Sequence, residues 1–409
     1  MGIVNYHNSQ REMKALLLEN IHPSAVDILN EKGFEVETFE KSLSGEELLE
    51  AVRGITLLGI RSRTHVTDEL LKNAKDLLAV GAYCIGTNQI DMAAASRSGV
   101  AVFNAPYSNT RSVAEIVIAE IIILLRRLYD KIVKAHSGVW DKSAEHAREV
   151  RGKKLGIIGY GNIGSQVSML AESMGMDVYY YDVVDVLNIG NATRMSSLEN
   201  LLKVADVITV HVDGSDTNRD LIGEKEFELM KDGVILLNLS RGYVVNVDAL
   251  RNNLESGKVS GAALDVFPEE PKGADEAFVS PLQNMPNVLL TPHIGGSTEE
   301  AQQNIGEFVS YKLSEYVLNG STYASVNFPR IQLPSLTDTH RLLHVHKNVP
   351  GVLSQINAIF ARSEVNVTSQ FLRTNESIGY VIADVDTHYD VSLAEELKNV
   401  AHTIKVRVL

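Results

Sequence analysis

A glycine-rich turn between an apolar strand and a helix limits the fold of this chain more than any other feature. The turn, GYGNIG, places Gly159, Gly161 and Gly164 directly after the apolar run KLGII and at the start of an amphipathic segment. Glycines at this spacing permit a tight turn, a close approach of backbone to a ligand and close packing of helix on strand. The free N–H groups of the helix N-terminus favour phosphate. The turn therefore predicts a doubly wound parallel sheet that binds a dinucleotide.

The end of the next strand predicts which dinucleotide is bound. That strand, DVYYYD, closes with Asp182, where an acid is expected to bind the adenosine ribose hydroxyls. The residues that follow, VVDV, include no Arg or Lys to receive a 2′-phosphate, and the Asp182 carboxylate would repel one. The predicted cofactor is therefore NAD rather than NADP.

The rest of the chain divides into three series of elements. The first hundred residues alternate apolar runs with amphipathic stretches, and a similar series begins at the glycine turn, which is typical of parallel α/β sheets. The segment STYASVNFPRIQLPSLTDTH is rich in Pro, Ser and Thr and is predicted as a linker. Beyond it the order is βαββαβ, a ferredoxin-like unit. A length of 409 residues suits two or three such domains.

Composition restricts the partners and the compartment. The net charge of -14 argues against nucleic acid and anionic membrane as partners. No apolar run is long enough for a membrane span, and the polar start MGIVNYHNSQREMK is unlike a signal peptide. Cys84 is the only cysteine, so a disulfide within the chain is impossible. A reducing compartment, the cytoplasm, is expected.

Several polar residues are predicted at the carboxyl ends of the second series of strands, where a doubly wound sheet binds its ligand. They are Asp182, His211, Leu239, Ser240, Arg241, Asp265 and His293, with Glu270 close behind Asp265. Hydride transfer on a hydroxy acid needs a cation for the carboxylate, a proton acceptor and a group that orients this acceptor. Arg241, His293 and Glu270 can supply these functions in that order.

Each of these side chains alone also fits a structural role. Arg241 could form a surface ion pair, Glu270 could be a solvated loop acid and His293 could lie in a turn. Their common position at the strand ends favours the catalytic interpretation. His211 is assigned to structure, because its strand is expected on the adenosine side of the site.

The motifs GYGNIG, LNLSRGYVVN, ALDVFPEEP and TPHIGGST resemble, in this order, the D-2-hydroxyacid dehydrogenase family. In that family the Arg, Glu and His at these motif positions are catalytic, which implies the same roles for Arg241, Glu270 and His293. The resemblance implies further cofactor contacts in the same motifs. The expected set is Gly159, Gly161, Asn162, Ile163, Gly164, Asp182, Leu239, Ser240, Arg241, Asp265, His293, Gly295 and Gly296.

The same resemblance implies three domains. A flavodoxin-like substrate domain is expected over 1–107 and 297–336, ending in the linker. A Rossmann domain that binds NAD is expected over 108–296, and a C-terminal ACT domain of the ferredoxin-like βαββαβ type over 337–409.

A basic pair in the first series suggests a second anion site. GIRSRT places Arg61 and Arg63 at the end of a strand, where a period of two predicts their side chains on one side. An exposed basic loop fits these residues equally well. RSRT, GTNQID and FNAPYSNTRSVAE resemble the family members that act on 3-phosphoglycerate and end in an ACT domain. There the arginine pair binds the substrate phosphate with the help of Asn109, and Lys142 reaches in from a neighbouring subunit.

The resemblance implies oxidation of 3-phospho-D-glycerate to 3-phosphohydroxypyruvate by NAD, the first step of L-serine biosynthesis, in a homotetramer. Reduction of 2-oxoglutarate is a second activity that the sequence allows. One alternative is a glyoxylate- or lactate-type member of the family, which needs no second anion site. Another is a non-catalytic NAD-sensing protein of the corepressor type, against which the complete Arg–Glu–His set argues.

The stretch HVHKNVPGVL in the last unit raises the question of a metal site. His344 and His346 lie on one face of the predicted strand, but no third ligand accompanies them, so no metal is predicted. The strand-to-helix turn that follows offers N–H groups to a carboxylate. The resemblance to ACT domains implies that His346, Asn348 and Asn366 bind L-serine and mediate feedback inhibition, and His344 is assigned to structure.

One departure from the family concerns the segment before this strand. Related chains carry paired glycines there, whereas this chain has Thr337, Asp338, Thr339 and His340. Serine binding is therefore expected to persist with an altered coupling to activity.

Overall fold

The computed structural model describes residues 13–271, 276–334, 340–386 and 391–409, together with the backbone of 4–5. The chain forms two compact units, Met1–Ser108 with Gln302–Leu409, and Asn109–Ala301. Among the described helices, none is both long enough and apolar enough to cross a membrane. The three domain ranges implied by the resemblance stay a prediction.

The first unit contains a five-stranded parallel sheet with the order β3-β2-β4-β5-β6, which is the flavodoxin order. Strands β4 and β5 are buried along their whole length, as expected for parallel strands covered on both faces. The elements in chain order, beginning with a short N-terminal strand, are β1 (Val4–Asn5), β2 (Met13–Leu17), α1 (Pro23–Glu31), β3 (Phe34–Thr38), α2 (Gly45–Ala51), β4 (Leu57–Ile60), α3 (Asp68–Asn73), β5 (Ala79–Ala82), α4 (Met92–Arg97) and β6 (Ala101–Asn104).

The second unit contains a seven-stranded parallel sheet with the order β13-β12-β11-β10-β7-β8-β9. The direction of winding changes between β7 and β10, the point at which such sheets bind ligands. Its elements are α5 (Thr110–Leu125), α6 (Leu128–His136), β7 (Lys154–Ile158), α7 (Asn162–Ser173), β8 (Asp177–Tyr181), β9 (Thr193–Arg194), α8 (Leu198–Val204), β10 (Val207–Val210), α9 (Glu224–Leu229), β11 (Val234–Asn238), α10 (Val247–Glu255), β12 (Val259–Leu264) and β13 (Val288–Leu290).

The C-terminal part of the first unit is a mainly antiparallel sheet with the order β1-β17-β14-β16-β15. Strand β1 adds a parallel edge strand that the βαββαβ pattern did not predict, while β15 is the other edge. The elements are α11 (Glu299–Asn319), β14 (His340–Lys347), α12 (Val352–Arg362), β15 (Val367–Thr374), β16 (Ile378–Val385), α13 (Val391–Lys398) and β17 (Thr403–Val408). The predicted fold class, with two parallel α/β sheets and a ferredoxin-like unit, is confirmed.

The predicted linker is packed over 321–334 rather than extended through solvent. Thr322 donates from its N–H to Ile331 O at 2.9 Å and from its hydroxyl to Pro329 O at 2.6 Å. Asn327 accepts the N–H of Val102 at 2.8 Å. The polar side chains that suggested a linker satisfy buried backbone groups instead, so an irregular segment can be buried. The sequence has no paired glycines before β14, where related chains have them. The residues that stand there instead, Thr337, Asp338 and Thr339, lie outside the described residues.

Candidate active site

The glycine turn has the shape that a dinucleotide requires. Gly159 has a φ of +90°, and a Cβ there would lie 2.6 Å from the carbonyl oxygen of His211. A Cβ on Gly164 would collide with the carbonyl group of Gly159. A Cβ on Gly161 would meet no atom within 4 Å, so this glycine borders open space rather than a packed neighbour. Two glycines serve packing and the third leaves room for a ligand, which fits a bound pyrophosphate.

The predicted cofactor residues around this turn lie on two neighbouring elements. Asn162 and Ile163 begin α7, so their N–H groups are among those without a partner in the helix. Asp182 follows β8, and its carboxylate accepts the N–H of Tyr160 at 2.7 Å and of Val184 at 2.9 Å. These bonds hold the acid beside the glycine turn, and its predicted contact with ribose stays a prediction.

Arg241 lies on a bend directly after β11. Asn238 shapes the bend, because its Oδ1 accepts the N–H of Ser240 at 3.1 Å and its Nδ2 donates to Arg241 O at 3.0 Å. A Cβ on Gly242 would collide with the backbone of Phe267, so only glycine allows the two loops to approach so closely. Sequence reasoning missed both Asn238 and Gly242, although the glycine directly after Arg241 was a usable signal.

His293 and Glu270 form a hydrogen-bonded pair. The distance from His293 Nδ1 to Glu270 Oε2 is 2.9 Å, and the other carboxylate oxygen accepts the N–H of Phe267 at 3.1 Å. The bond to Glu270 raises the pKa of His293 against the opposing effect of burial. Burial alone would raise the pKa of Glu270, but the bonds from His293 and Phe267 and the charge of Arg241 lower it. The pair therefore combines an ionised acid with an unusually basic imidazole.

Asp265 holds the segment that carries His293. Asp265 is 2% exposed, and its carboxylate accepts the Thr291 hydroxyl at 2.6 Å and the N–H groups of Ile294 and Gly295, both at 2.8 Å. These bonds accompany a φ of +54° at His293, a left-handed conformation uncommon outside glycine. Asp265 was predicted as a cofactor contact, which stays a prediction, whereas the hydrogen bonds that it forms give it a positioning role.

Asn109 lies against the glycine pair of the same segment. A Cβ on Gly296 would collide with the Asn109 side chain, so the two groups are in close contact. Asn109 Oδ1 is buried and has no hydrogen-bond partner among the described residues. A hydrogen-bond donor from a ligand could satisfy this oxygen.

Glu120 is a buried acid in this unit that sequence reasoning missed. It is 3% exposed on α5, and neither carboxylate oxygen has a hydrogen-bond partner within the described part of the chain. Burial, together with the negative charge of Asp265, raises the pKa of Glu120 to about 8. The only signal was a single acid inside the apolar run IVIAEIIILL.

The neutral Glu120 should make stability depend on pH. The pKa of Glu120 is about 8 in the folded chain against a usual 4.5, so between these values the folded state holds one more proton and stability falls as pH rises. Glu120→Gln removes this dependence. We expect the variant to gain on the order of 4 kcal/mol relative to the wild type between pH 5 and pH 8. Denaturant unfolding at pH 5 and pH 8 measures the free energy of unfolding of each protein. Glu115→Gln, on the exposed face of α5, is the control. An equal change in the free energy of unfolding between the two pH values in all three proteins would contradict the prediction.

The basic pair of the first unit lies beyond the strand end, not in the strand. Strand β4 ends at Ile60, and Arg61, Ser62 and Arg63 follow in a bend, so the period of two used in the prediction does not apply. Neither guanidinium has a hydrogen bond or an ion pair with any described residue. Arg61 is half-buried and Arg63 is exposed, as is Lys142 in the second unit after α6. Unpaired cations on a surface bend are available to an anion.

The residues predicted to bind serine differ in exposure. His346 is 3% exposed, with Nδ1 bonded to Lys347 O at 2.7 Å and Nε2 buried without a partner among the described residues. Asn348 is exposed and donates to Asn375 O at 2.8 Å, and Asn366 is exposed before β15. His344 bonds from Nε2 to Thr403 Oγ1 at 2.9 Å, which agrees with its structural assignment.

Two family models match the chain. Residues 118–295 match the D-isomer specific 2-hydroxyacid dehydrogenase NAD-binding domain, and residues 342–406 match the AHAS small subunit-like ACT domain. The chain is 50% identical over 399 residues to the D-3-phosphoglycerate dehydrogenase of Haemophilus influenzae, covering 97% of both chains. It is 45% identical to D-3-phosphoglycerate dehydrogenase 1 of Saccharomyces cerevisiae, covering 98% of this chain and 88% of the yeast protein.

Solved structures show the same fold over about three quarters of the chain. A D-2-hydroxyisocaproate dehydrogenase structure superposes with a TM-score of 0.71 at 26% identity, covering 77% of this chain and 100% of the other. A D-lactate dehydrogenase from Aquifex aeolicus, complexed with NAD and lactic acid, gives a TM-score of 0.65 at 28% identity, covering 77% and 99%.

Proposed function

The chain belongs to the D-isomer specific 2-hydroxyacid dehydrogenase family, and from this premise we propose that it oxidises 3-phospho-D-glycerate to 3-phosphohydroxypyruvate, the first step of L-serine biosynthesis. NAD, the predicted cofactor, is confirmed by the family. The observation that carries the proposal is the hydrogen-bonded pair of His293 and Glu270 beside Arg241. Oxidation of a hydroxy acid needs a proton acceptor, an acid that orients it and a cation for the carboxylate, and these three residues can provide them. Similarity over 97% of the chain to relatives named D-3-phosphoglycerate dehydrogenase supports the phosphorylated substrate.

The glycine turn, the first residues of α7 and Asp182 would hold NAD in its oxidised form, which would supply the acceptor for the hydride on C2 of the substrate. His293 accepts the hydroxyl proton at Nε2, because its Nδ1 is bonded to Glu270. The Glu270 carboxylate stabilises the resulting imidazolium. Arg241 binds the substrate carboxylate with two parallel hydrogen bonds, which fixes C2 relative to His293.

The substrate phosphate is bound by Arg61 and Arg63, with Asn109 as a further hydrogen-bonding group and Lys142 supplied by a neighbouring subunit. The absence of partners for both guanidinium groups among the described residues supports this assignment. The distal carboxylate of 2-oxoglutarate could bind to the same cations, so we propose its reduction as a secondary activity.

Oxidation of NADH with 3-phosphohydroxypyruvate, compared with glyoxylate, pyruvate and 2-oxoglutarate, tests the proposal. We expect kcat/KM for the phosphorylated substrate to exceed that for glyoxylate by at least about 100-fold, since two charged hydrogen bonds stabilise it. Equal values would favour the glyoxylate- or lactate-type alternative. Binding of NADH without any turnover would favour the NAD-sensing alternative.

The C-terminal unit is proposed to sense L-serine. An ACT domain suggests an amino acid as effector, and His346, Asn348 and Asn366 are the proposed contacts. Strand β15 lies at one edge of the sheet, and a second ACT domain could pair with this edge. At the opposite side of the sheet, β1 pairs with β17 and covers it. Asn366 lies directly before β15, so a bound serine would be close to that edge.

Inhibition by L-serine should depend on Asn348. We expect serine to inhibit the wild type, and Asn348→Ala to raise the serine concentration for half inhibition at least about tenfold, because a charged serine group loses a hydrogen bond. His346→Ala should act in the same direction but also leaves a cavity. Asn357→Ala, at an exposed position of α12, is the matched control. The measurement is NADH oxidation against serine concentration, and an unchanged curve for Asn348→Ala would contradict the assignment.

A cytoplasmic homotetramer is the proposed working form. An exposed apolar group at and after α6 supports a contact between cofactor domains, and Trp140 in it is 79% exposed. Its members are Leu128, Tyr129, Ile132, Val133, Val139 and Trp140. A second contact is proposed between ACT domains. Cys84 as the only cysteine agrees with a reducing compartment.

A further inference from the structure

Glu19 is a buried acid in the first unit for which the reaction described above has no role. It is 7% exposed, directly after β2, and its φ of +67° is followed by a φ of +52° at Asn20. Left-handed backbone at two successive non-glycine residues is costly and persists only where the surroundings impose it. Here backbone N–H groups fix it, from Glu19 to Lys41 O and from Asn20 to Phe39 O, both at 3.2 Å.

The strained turn directs the Glu19 carboxylate to the bend that carries the arginine pair. Oε1 accepts the N–H of Arg61 at 3.1 Å and of Thr64 at 2.8 Å, and Oε2 accepts the N–H of Arg63 at 3.0 Å. Three convergent backbone N–H groups form the kind of concavity that binds small anions. The Glu19 carboxylate already accepts these three N–H groups, so a substrate anion cannot bind to them and can bind only to the guanidinium groups of Arg61 and Arg63.

The same bend is held from its other side. Gln89, which is 8% exposed, donates from Nε2 to Arg61 O at 2.5 Å. The backbone around Arg61 is thus fixed at its N–H by Glu19 and at its carbonyl by Gln89. Neither side chain of the arginine pair takes part in these bonds, so both cations stay free for a ligand.

We propose that Glu19 is a positioning residue for phosphate specificity, which holds the backbone of Arg61 and Arg63 so that both guanidinium groups bind the substrate phosphate together. The proposal rests on the proposed function and deepens it. Glu19 itself does not contact the substrate, and its buried carboxylate does not neutralise the arginine side chains. Loss of its hydrogen bonds should therefore affect only substrates that carry the phosphate.

Glu19→Gln tests this proposal, because it keeps the shape of the side chain and places an NH2 donor against one of the three N–H donors. We expect KM for 3-phosphohydroxypyruvate to rise at least about tenfold, since a buried donor is left unpaired and the bend shifts. We expect kcat for this substrate, and kcat/KM for hydroxypyruvate, to stay within about twofold of the wild type. Equal losses on both substrates, or no loss on either, overturn the proposal.

Three further variants sharpen the result. Glu35→Gln, an exposed acid on β3, is the matched control and should behave as the wild type. Glu19→Asp retains the carboxylate and should recover part of the affinity for the phosphorylated substrate. In Glu19→Gln combined with Arg61→Ala and Arg63→Ala, the loss should equal that of the double Ala variant and the losses should not multiply, because Glu19 acts through these two cations. Multiplied losses overturn the proposal. If Glu19→Gln does not fold, Glu19→Asp is measured in its place against the same two substrates.

The wild-type measurement separates this inference from the proposed function. If the wild type does not prefer 3-phosphohydroxypyruvate over hydroxypyruvate, the proposed function fails and this inference fails with it. If the wild type has this preference and Glu19→Gln leaves it unchanged, only the role of Glu19 is refuted.

Discussion

Replacing His293 with Gln lowers kcat by about three to four orders of magnitude, while the affinity for NADH stays within about twofold of the wild type. Gln cannot exchange the hydroxyl proton, and general acid–base catalysis contributes about 10²- to 10⁴-fold, with the upper range expected where an acid supports the base. The glycine turn, which carries the proposed cofactor contacts, is left unchanged. Steady-state rates with 3-phosphohydroxypyruvate and quenching of fluorescence on NADH binding provide the two measurements.

His211→Gln is the matched control. Burial lowers the pKa of His211 to about 3, so this imidazole is neutral near pH 7 and supplies no proton. We expect His211→Gln to retain most of the turnover. A similar loss in both histidine variants, or near-normal turnover in His293→Gln, would refute the assignment of the proton donor.

Glu270→Gln should change how the rate of oxo-acid reduction depends on pH. The bond from Glu270 raises the pKa of His293, so His293 stays protonated to higher pH than a free imidazole. Reduction of the oxo acid needs protonated His293, and its rate should fall as pH rises through this pKa. With Gln at position 270 the fall should begin at lower pH. Rate–pH profiles of both proteins measure the shift, and superimposable profiles would contradict it.

The order of elements could be predicted because short apolar runs alternate with amphipathic stretches along most of the chain. Parallel strands such as β4 and β5 are continuous apolar runs, and the glycine turn marks the first strand of the second sheet. Strands β1 and β9 were missed because each is two residues long and has no periodicity. The segment 321–334 was misjudged because Ser, Thr and Asn signal solvent exposure and buried hydrogen bonding equally well.

The reacting groups could be proposed from sequence, whereas the groups that hold them could not. His293 and Glu270 lie in the loops that follow β13 and β12 and carry reactive side chains, so position and chemistry identify them together. Asp265 and Glu19 act by accepting backbone N–H groups from loops distant in sequence, and no local pattern reveals such bonds. Glu19 precedes Arg63 by 44 residues, so only the fold brings the acid to the bend.

Removing both arginines of the first unit, as Arg61→Ala with Arg63→Ala, should lower kcat/KM for 3-phosphohydroxypyruvate about 10²- to 10⁴-fold. Each charged hydrogen bond contributes about 1.5 to 3 kcal/mol, and a tenfold change corresponds to about 1.4 kcal/mol. The activity with glyoxylate should stay within about threefold, because glyoxylate has no second anion. The measurement is kcat/KM for both substrates in the same preparation.

The control and the Lys variants decide which property of the arginines matters. Arg97→Ala removes an exposed arginine of the same unit that is paired with Asp68, and it should leave both activities unchanged. Arg61→Lys with Arg63→Lys keeps the charge but loses the planar fork that binds two phosphate oxygens at once, so an intermediate loss is expected. If the double Ala variant loses both activities equally, the arginines support the fold rather than the phosphate. If it loses neither, the bend is an exposed basic loop and the enzyme belongs with the glyoxylate- or lactate-type members, because these members need no second anion site.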